Sequence, residues 1–259
     1  LVACADVQEA AAKKTAQKYG YACFYTDYQD MLSRETLDAV AIAVPHHLLR
    51  DVAVASIQSG RHIFVEKPMA VNRREGEEIR DAASRAGVTV MVGYCLRFAE
   101  SRHVTKKLID RGAIGDIVLV NAGKGSHRLR GWLADPDKGG GQLLYLGVHV
   151  TDQVLWMVAS RPERVQAEVL WHPATGADDN AAYIVRFHND AIANVVVSQN
   201  VSSFDFVDIL GTAGHIRAEW PTNTVHIYSE KLSEYMHPTV IRPNSPLRDE
   251  MYQDQMQAW

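Results

Sequence analysis

Short apolar runs alternate with helix-forming segments through the first part of the chain, and this alternation constrains the fold more than any other feature. Four runs predict strands: LVACADV (1–7), LDAVAIAVP (37–45), HIFVEKP (62–68) and VTVMVGY (88–94). The segments between them are rich in alanine and charged residues, and three of them close on Gly20, Gly60 and Gly87, as helices with a C-terminal glycine do. Strands and helices alternating at this spacing predict parallel βαβ units in a sheet covered on both faces.

The pattern changes after about residue 115. Six apolar segments follow one another: DIVLVNAG, RVQAEVLW, NAAYIVRFHND, AIANVVVSQN, FDFVDILGTAG and HIRAEW. Turn residues separate them, and one helix, predicted over 142–158, lies between the first and the second. We therefore predict an α/β protein. A Rossmann-type, doubly wound parallel sheet over residues 1–98 is followed by an α+β domain with a large, mostly antiparallel sheet over 99–259.

The composition excludes several classes of function. The chain has 259 residues, 47% of them hydrophobic, and a formal net charge of −4, which disfavours nucleic acid or an anionic membrane as the main partner. No apolar run approaches the roughly 18–20 residues that cross a bilayer, and no basic-then-apolar stretch of the sequence predicts a signal peptide. The three cysteines are widely separated and form neither a disulfide framework nor a zinc motif. We expect a cytoplasmic protein.

Polar residues follow the predicted parallel strands, at the sheet edge where doubly wound proteins bind ligands. They are Asp6, the Pro45-His46 pair, the Glu66-Lys67 pair and the Gly93-Tyr94 pair. Asp6 stands where a dinucleotide domain places the acid that binds the adenosine ribose, and a plain capping role is the alternative. Proline cannot donate to a sheet ladder, so Pro68 ends the third strand just beyond Lys67.

The first strand raises a question about its own neighbour in the sheet. A glycine-rich phosphate-binding turn would lie roughly 20 residues before Asp6, and so upstream of Leu1. The strand before such a turn is central in a doubly wound sheet, and a chain without it leaves a strand edge buried and unpaired. We expect the sequence to be a fragment of a longer protein.

A second group of candidate residues begins at the glycines of 139–141. Backbone amides could approach a ligand closely there. On the predicted helix, Tyr145 and His149 are four residues apart on one face, with Asp152 three further on. This face is either a proton-transfer pair or a polar seam between domains. The opposite face carries a stripe that we expect to meet the core: Leu144, Val148 and Leu155.

Two further features are weaker candidates. His46 and His47 lack a third ligand at metal spacing, so we predict a loop role for them and no metal site. Trp132 lies in a polar segment and is a candidate either for the wall of a substrate site or for interdomain packing.

Several stretches resemble the glucose–fructose oxidoreductase/inositol dehydrogenase (Gfo/Idh/MocA) family, in the order and spacing of that family. They are AVAIAVPHHLL, SGRHIFVEKPMAV, GYCLRF, LIDRGAIGDIVLV, GGGQLLYLGVH and ILGTAGHIRAEW. The resemblance implies a Rossmann domain, an antiparallel-sheet domain, a bound nicotinamide cofactor, and hydride transfer at a sugar or cyclitol hydroxyl. NAD is favoured over NADP, which remains possible, because a carboxylate such as that of Asp6 repels a 2′-phosphate.

The resemblance also implies roles for single residues. The implied catalytic residues are Lys67, His149 and Tyr145. The implied cofactor-binding residues are Asp6, Pro45, His46, Glu66, Lys67 and Arg97. The implied substrate-binding residues are Lys67, Tyr94, Trp132, Tyr145 and His149. Lys67 would polarise the reacting oxygen, while His149 would take the hydroxyl proton and Tyr145 would orient His149 or relay that proton.

Tyr145 departs from the family pattern, because many members carry an aspartate four residues before the histidine. Two alternatives therefore stand beside the dehydrogenase. One is a redox-neutral, NAD-dependent enzyme that cleaves a glycosidic bond, and the other is a cofactor-binding sensor without turnover. The resemblance further implies a homo-oligomer formed through the antiparallel sheet.

Overall fold

The computed structural model describes residues 1–220, 222–243 and 249–259. Within these ranges the chain forms two compact units, Leu1–Gly93 and Tyr94–Trp259. None of the helices in them combines the length and apolar character needed to cross a membrane.

The N-terminal unit alternates strands and helices as its sequence predicts. Its strands are β1 Ala3–Ala5, β2 Cys23–Tyr25, β3 Ala39–Ile42, β4 His62–Glu66 and β5 Val90–Gly93, and its helices are α1 Glu9–Tyr19, α2 Tyr28–Arg34, α3 His46–Gln58 and α4 Arg73–Ala86. The four predicted strands are confirmed as β1, β3, β4 and β5. β2 and α2 were not predicted, because both are short and carry little periodicity.

All strand pairs of this unit are parallel, but they form two separate sheets. β1 pairs with β2, while β3, β4 and β5 pair in that order. One edge of β1 and one edge of β3 are thus unpaired within the described residues. Both strands nevertheless pack on one hydrophobic cluster, which includes Val40 and Ile42 and has Ala3 and Ala5 against it.

Burial explains why β4 lies at the centre of the three-stranded sheet. Ile63 and Val65 are fully buried and Phe64, on the opposite face, is 6% exposed, so both faces of β4 are covered. Helix α3 contributes Leu49, Ala53 and Ile57 to the cluster, and Ile79, Ala82 and Ala83 come from α4. The parallel sheet with covered faces is confirmed at this strand.

The C-terminal unit is built on one large mixed sheet. Its strands are β6 Ile117–Gly125, β7 Pro162–Trp171, β8 Asp178–Phe187, β9 Ile192–Ser198, β10 Phe204–Gly211, β11 Gly214–Trp220, β12 Thr224–Ser229 and β13 Thr239–Ile241, and its α-helices are α5 Glu100–Asp110, α6 Val148–Val158 and α7 Asp249–Ala258. The eight strands lie in the order β13-β12-β11-β10-β6-β9-β8-β7. Every neighbouring pair is antiparallel except the parallel pair of β6 and β9.

The two faces of this sheet differ in burial. One face, called the inner face here, forms the main core with residues such as Val120, Val195 and Val207, and Val154 of α6 joins the same cluster. The opposite, outer face leaves large apolar side chains exposed on four strands. They are Leu170 (59% exposed), Ile184 (47%), Ile192 (41%), Val196 (37%) and Leu210 (36%). This face carries more apolar surface than scattered single residues would.

Candidate active site

The carboxyl ends of the parallel strands carry the polar residues singled out from the sequence. β4 ends at Glu66, and Lys67 follows directly, half-buried and joined to buried Pro68 by a cis peptide bond. The Glu66 carboxylate accepts a hydrogen bond of 3.2 Å from the Lys67 amide. Burial raises the pKa of the Glu66 carboxyl, and the nearby Lys67 opposes part of that shift.

Asp6 follows β1 and is exposed. Its Oδ1 accepts a hydrogen bond of 2.8 Å from the amide of Gln8, the N-cap residue of α1, so Asp6 orders the turn that leads into the helix without capping it. Its Oδ2 has no hydrogen-bond partner among the described residues, and one carboxylate oxygen is left to accept from a ribose hydroxyl. The plain capping role is thus not seen at α1, and the role of Asp6 toward a ribose stays a prediction.

His46 and His47 lie in a helix and not in a loop. Pro45 is the N-cap of α3, and the two histidines form its first turn, where His46 is only 4% exposed. The loop prediction was wrong because proline is well suited to a helix start, so the helix begins directly after it. His46 thus points into the unit and stays close to the end of β3.

The three glycines of 139–141 do not offer free amides to a ligand. The Gly140 and Gly141 amides donate to the backbone carbonyls of Asp135 and Leu133, at 2.8 and 2.9 Å. A Cβ on Gly141, whose φ is +120°, would lie 2.1 Å from Oδ1 of Asp178, and one on Gly140 would lie 2.5 Å from the Leu133 carbonyl. Glycine is required there by close packing within the chain, which corrects the ligand-approach prediction.

Asp178 anchors the helix that follows these glycines, and the sequence analysis missed it. It stands at the start of β8, is 7% exposed, and its Oδ2 accepts a hydrogen bond of 2.7 Å from the Leu143 amide. Burial raises the pKa of its carboxyl, and the donated backbone hydrogen bonds oppose the shift. A carboxylate more than thirty residues from the helix gives no local sequence signal.

The predicted helix over 142–158 is divided in two. Residues 143–147 form a π-helical turn that carries half-buried Tyr145, and α6 continues from Val148 with His149 in its first turn, 7% exposed. A π-turn has hydrogen bonds from i to i+5, so Tyr145 and His149 do not have the α-helical offset that the sequence predicted. Such turns are frequent at functional sites.

The stripe expected to face the core was also wrong. Leu155 is 38% exposed, and Leu144 and Val148 are half-buried. The residues of α6 that join the core are Val150, Val154, Met157 and Val158. Val148 and Leu155 lie together on one side of α6, and its core residues lie on the other. His149 and Asp152 are buried as well, so polar and apolar residues share the covered side.

Arg97 and Asp152 form an ion pair that the sequence did not predict. Nε and Nη2 of Arg97 donate to the two oxygens of Asp152, at 2.8 and 2.5 Å, in a bidentate arrangement. The guanidinium also lies 5.9 Å from the ring of Tyr94 and 5.8 Å from that of Trp156. Burial raises the pKa of the Asp152 carboxyl, and Arg97 opposes that shift. Arg97 thereby holds α6 one turn beyond His149.

The structure groups the predicted residues unit by unit. Asp6, Pro45, His46, Glu66 and Lys67 all lie at the carboxyl ends of strands in the N-terminal unit. In the C-terminal unit, Tyr94 and Arg97 meet the helix of His149 through Asp152 and Trp156. Trp132 is half-buried in a separate 3₁₀ helix, Gly131–Ala134.

Two family models match the chain, one in each unit. The oxidoreductase family with an NAD-binding Rossmann fold matches residues 1–94, and the GFO/IDH/MocA C-terminal domain matches residues 103–217. The chain belongs to the Gfo/Idh/MocA family. The resemblance drawn from the motifs is thus confirmed, and so is the fold class, an α/β Rossmann-type unit followed by a mostly antiparallel sheet.

Curated relatives of this Gfo/Idh/MocA chain include two sugar dehydrogenases. Levoglucosan dehydrogenase of Pseudarthrobacter phenanthrenivorans is 26% identical over 249 residues, with 82% of this chain and 63% of the relative covered. D-glucoside 3-dehydrogenase of Escherichia coli is 26% identical over 213 residues, with 74% and 60% covered. This chain therefore spans less than two thirds of the length of these relatives.

Among solved structures, an NAD binding oxidoreductase from Klebsiella pneumoniae has a TM-score of 0.84 and 25% identity, and the alignment covers 93% of this chain and 70% of the other. The fold of the Gfo/Idh/MocA chain is thus shared over nearly its whole length.

Proposed function

We propose that the protein is an NAD-dependent dehydrogenase that acts on a hydroxyl carbon of a sugar, cyclitol or related polyol, or on the keto carbon in reverse. The observation that carries the proposal is the position of Lys67 directly after β4 in a unit that matches the family's NAD-binding domain. The names of the relatives, which include a levoglucosan dehydrogenase and a D-glucoside 3-dehydrogenase, support a sugar as substrate.

The residues at the strand ends fit a nicotinamide dinucleotide. Asp6 keeps one carboxylate oxygen for the ribose, and its negative charge favours NAD over NADP. Pro45, His46 and Glu66 would line the path of the cofactor along the ends of β3 and β4, and Arg97 would serve the nicotinamide end. The bound nicotinamide supplies the acceptor or the donor of the hydride.

The chemistry that remains falls to three side chains. Lys67 would donate a hydrogen bond to the reacting oxygen and stabilise the negative charge that develops on it. His149 would take the hydroxyl proton as general base, and Tyr145 would orient it or relay the proton. Tyr94 and Trp132 would contact the sugar, because aromatic rings pack well against its apolar faces.

The test is turnover of the full-length protein with NAD, and separately with NADP, across a panel of sugars, cyclitols and sugar acids, followed by nicotinamide absorbance. We expect NAD to be reduced as the substrate is oxidised. For Lys67→Ala we expect kcat to fall about 10²–10⁴-fold, the usual contribution of an electrophilic or proton-transferring group. Lys13→Ala, on exposed α1, is the matched control.

One result would contradict the role of Lys67, and two would contradict the dehydrogenase. Turnover of Lys67→Ala within a few-fold of the wild type would remove the proposed role of the lysine. Cleavage of an aryl glycoside without net NADH would favour the redox-neutral glycosidase, and NAD binding without turnover on any substrate would favour the sensor.

We further propose that the protein works as a homo-oligomer formed through the outer face of its large sheet. The apolar side chains exposed on β7, β8, β9 and β10 support this, because a contiguous apolar patch on a sheet face is typical of an interface.

A further inference from the structure

Three charged side chains form a compact cluster on the inner face of the large sheet. Asp205 of β10 accepts a hydrogen bond of 2.5 Å from Nη2 of Arg102, on α5, through Oδ1. Its Oδ2 accepts another from the ammonium of Lys124, which stands directly opposite on β6. The side chains of Arg102 and Asp205 are 1% and 4% exposed, whereas that of Lys124 is 14% exposed.

This cluster carries an excess of positive charge and of hydrogen-bond donors. Two cations share one carboxylate, whose two oxygens are both used. Among the residues that the structure describes, Nε and Nη1 of Arg102 have no hydrogen-bond partner, and Lys124 donates one hydrogen bond of the three that an ammonium can give. An uncompensated buried charge is costly, so the cluster favours an anionic group from outside. Lys124 is the member that reaches solvent.

One residue, Val197, links the cluster to the beginning of the helix that carries His149. Lys124 pairs with Val197 of β9 on its other side, so Val197, Lys124 and Asp205 form a row across the inner face. Cγ1 of Val197 is 3.7 Å from the Cβ position of Gly147, two residues before His149. One residue further along β9, the Ser198 carbonyl accepts from the side chain of Gln142 at 2.8 Å, which fixes the start of the same helix.

We propose that Lys124 is a specificity-determining residue that binds a carboxylate of the substrate, and that Arg102 and Asp205 hold its ammonium in place. The preferred substrate is then a sugar acid and not a neutral sugar. This inference rests on the proposed function, because it assumes that His149 is the base near which the substrate binds. Binding of the anion can nevertheless be measured without turnover. Asp205 orients the ammonium, and Arg102 keeps Asp205 from neutralising it fully.

The experiment measures dissociation constants by calorimetry, at one ionic strength, for sugar acids and their neutral counterparts. D-gluconate is paired with D-glucitol, D-glucuronate with D-glucose, and D-galactonate with D-galactitol. The wild type is expected to bind the acid of at least one pair about tenfold or more tightly than the neutral member, the usual gain from one charge-assisted hydrogen bond. Lys124→Met is expected to reduce that ratio to within about twofold, and Lys124→Arg to keep most of it.

Lys107→Met, on an exposed position of α5, controls for the loss of a positive charge from the unit. A purely structural cluster would lower the melting temperature of Lys124→Met without changing the ratio of affinities. If Lys124→Met does not fold, the wild type decides alone, because added salt should weaken binding of the acid and leave its neutral counterpart unchanged.

The outcomes separate this inference from the proposed function. Equal affinities within every pair, binding of no acid in the panel, or an unchanged ratio in Lys124→Met each overturn the role of Lys124. An anion preference that depends on Lys124, with a nicotinamide assay that stays silent, supports the binding site and counts against the dehydrogenase. Lys67-dependent turnover of neutral sugars, without an anion preference, supports the dehydrogenase and counts against the binding site at Lys124.

Discussion

The environment of Glu66 differs from what its sequence position indicates. A glutamate at the end of a strand and beside a lysine would usually be solvated, yet Glu66 is only partly exposed, and burial raises its pKa. The Cβ position of Gly93, on the neighbouring strand β5, is 3.2 Å from its carboxyl carbon. The absence of a side chain at Gly93 makes room for the carboxylate.

Replacing Glu66 by glutamine should stabilise the fold at neutral pH. The raised pKa means that the folded state disfavours the charged carboxylate, so its cost appears as the pH rises from the ordinary value toward and through the raised one. Glu66→Gln carries no charge and keeps an oxygen for the Lys67 amide. We expect its melting temperature to exceed that of the wild type by a few degrees at neutral pH, and the difference to vanish toward pH 4.

Thermal unfolding of both proteins at a series of pH values is the measurement, and Glu9→Gln on exposed α1 is the control. A difference that grows as the pH falls would have the wrong sign and would show that Glu66 is stabilised as a carboxylate.

At the scale of elements, the start of the helix that carries His149 is fixed from outside the helix. Backbone carbonyls in the turn of residues 133–135 accept hydrogen bonds from the amides of Gly140 and Gly141, and the Asp178 carboxylate accepts one from the Leu143 amide. The helix therefore begins at a position set by a distant strand and a preceding turn, and its own sequence contributes the glycines that permit this packing.

Gly141→Ala should disturb this start strongly. Its Cβ would collide with the Asp178 carboxylate at 2.1 Å, and its φ of +120° is strained for any residue with a side chain. We expect a loss of more than about 2 kcal/mol in the free energy of unfolding, measured by denaturant titration. Gly131→Ala is the matched control, because φ there is +62° but no atom lies within 4 Å of the Cβ position. For Gly131→Ala we expect a loss of about 1 kcal/mol in the free energy of unfolding. Equal losses in the two variants would show that backbone strain at positive φ, and not the collision with Asp178, sets the cost.

The elements were predictable from the sequence to different degrees. The strands of the βαβ part and most of the large sheet follow from runs of β-branched residues and from turn residues. β2 and β13, with three residues each, were missed because such short strands have weak local patterns and are held by tertiary pairing. β12 was missed as well, although TVHIYS alternates between buried and more exposed positions. The π-turn was missed because one extra residue in a helical turn leaves the apolar pattern almost unchanged.

In the candidate site, the identity of the residues was predictable from the sequence, whereas the contacts that hold them were not. The motif around Lys67 and the one around His149 identified these residues from sequence, since each motif is local. The partners that hold them are remote in the chain. Asp152 engages Arg97 across 55 positions, and Asp178 reaches Leu143 across 35. Such pairs arise only from the tertiary fold.

At the scale of the whole molecule, the proposed oligomer depends on the outer face of the large sheet. The outer face of the large sheet carries uncovered leucine, isoleucine and valine side chains on β7, β8, β9 and β10. Ile184 and Asn194 are directly opposed on β8 and β9, with Ile192 and Val196 on either side of Asn194. Ile184, Ile192 and Val196 are therefore neighbours on one face.

The double variant Ile184→Glu/Val196→Glu should break the proposed oligomer. Two carboxylates on a face that would be buried in an interface must be desolvated on association. We expect sedimentation velocity to show an oligomer for the wild type and a monomer for the variant at the same concentration, with far-ultraviolet circular dichroism unchanged. Tyr19→Glu, at an exposed position of α1, should leave the oligomer intact. A monomeric wild type would contradict the proposal directly.

The π-turn at 143–147 also has a consequence for the history of the chain. A π-turn is an α-helix with one residue inserted, and the insertion rotates everything that follows by about 100° relative to a regular helix. Deletion of a single codon in this turn would swing His149 out of its present direction and bring a neighbouring side chain there instead. One insertion or deletion could thus exchange the residue presented at this position in a single evolutionary step, whereas substitutions would have to accumulate along the whole helix.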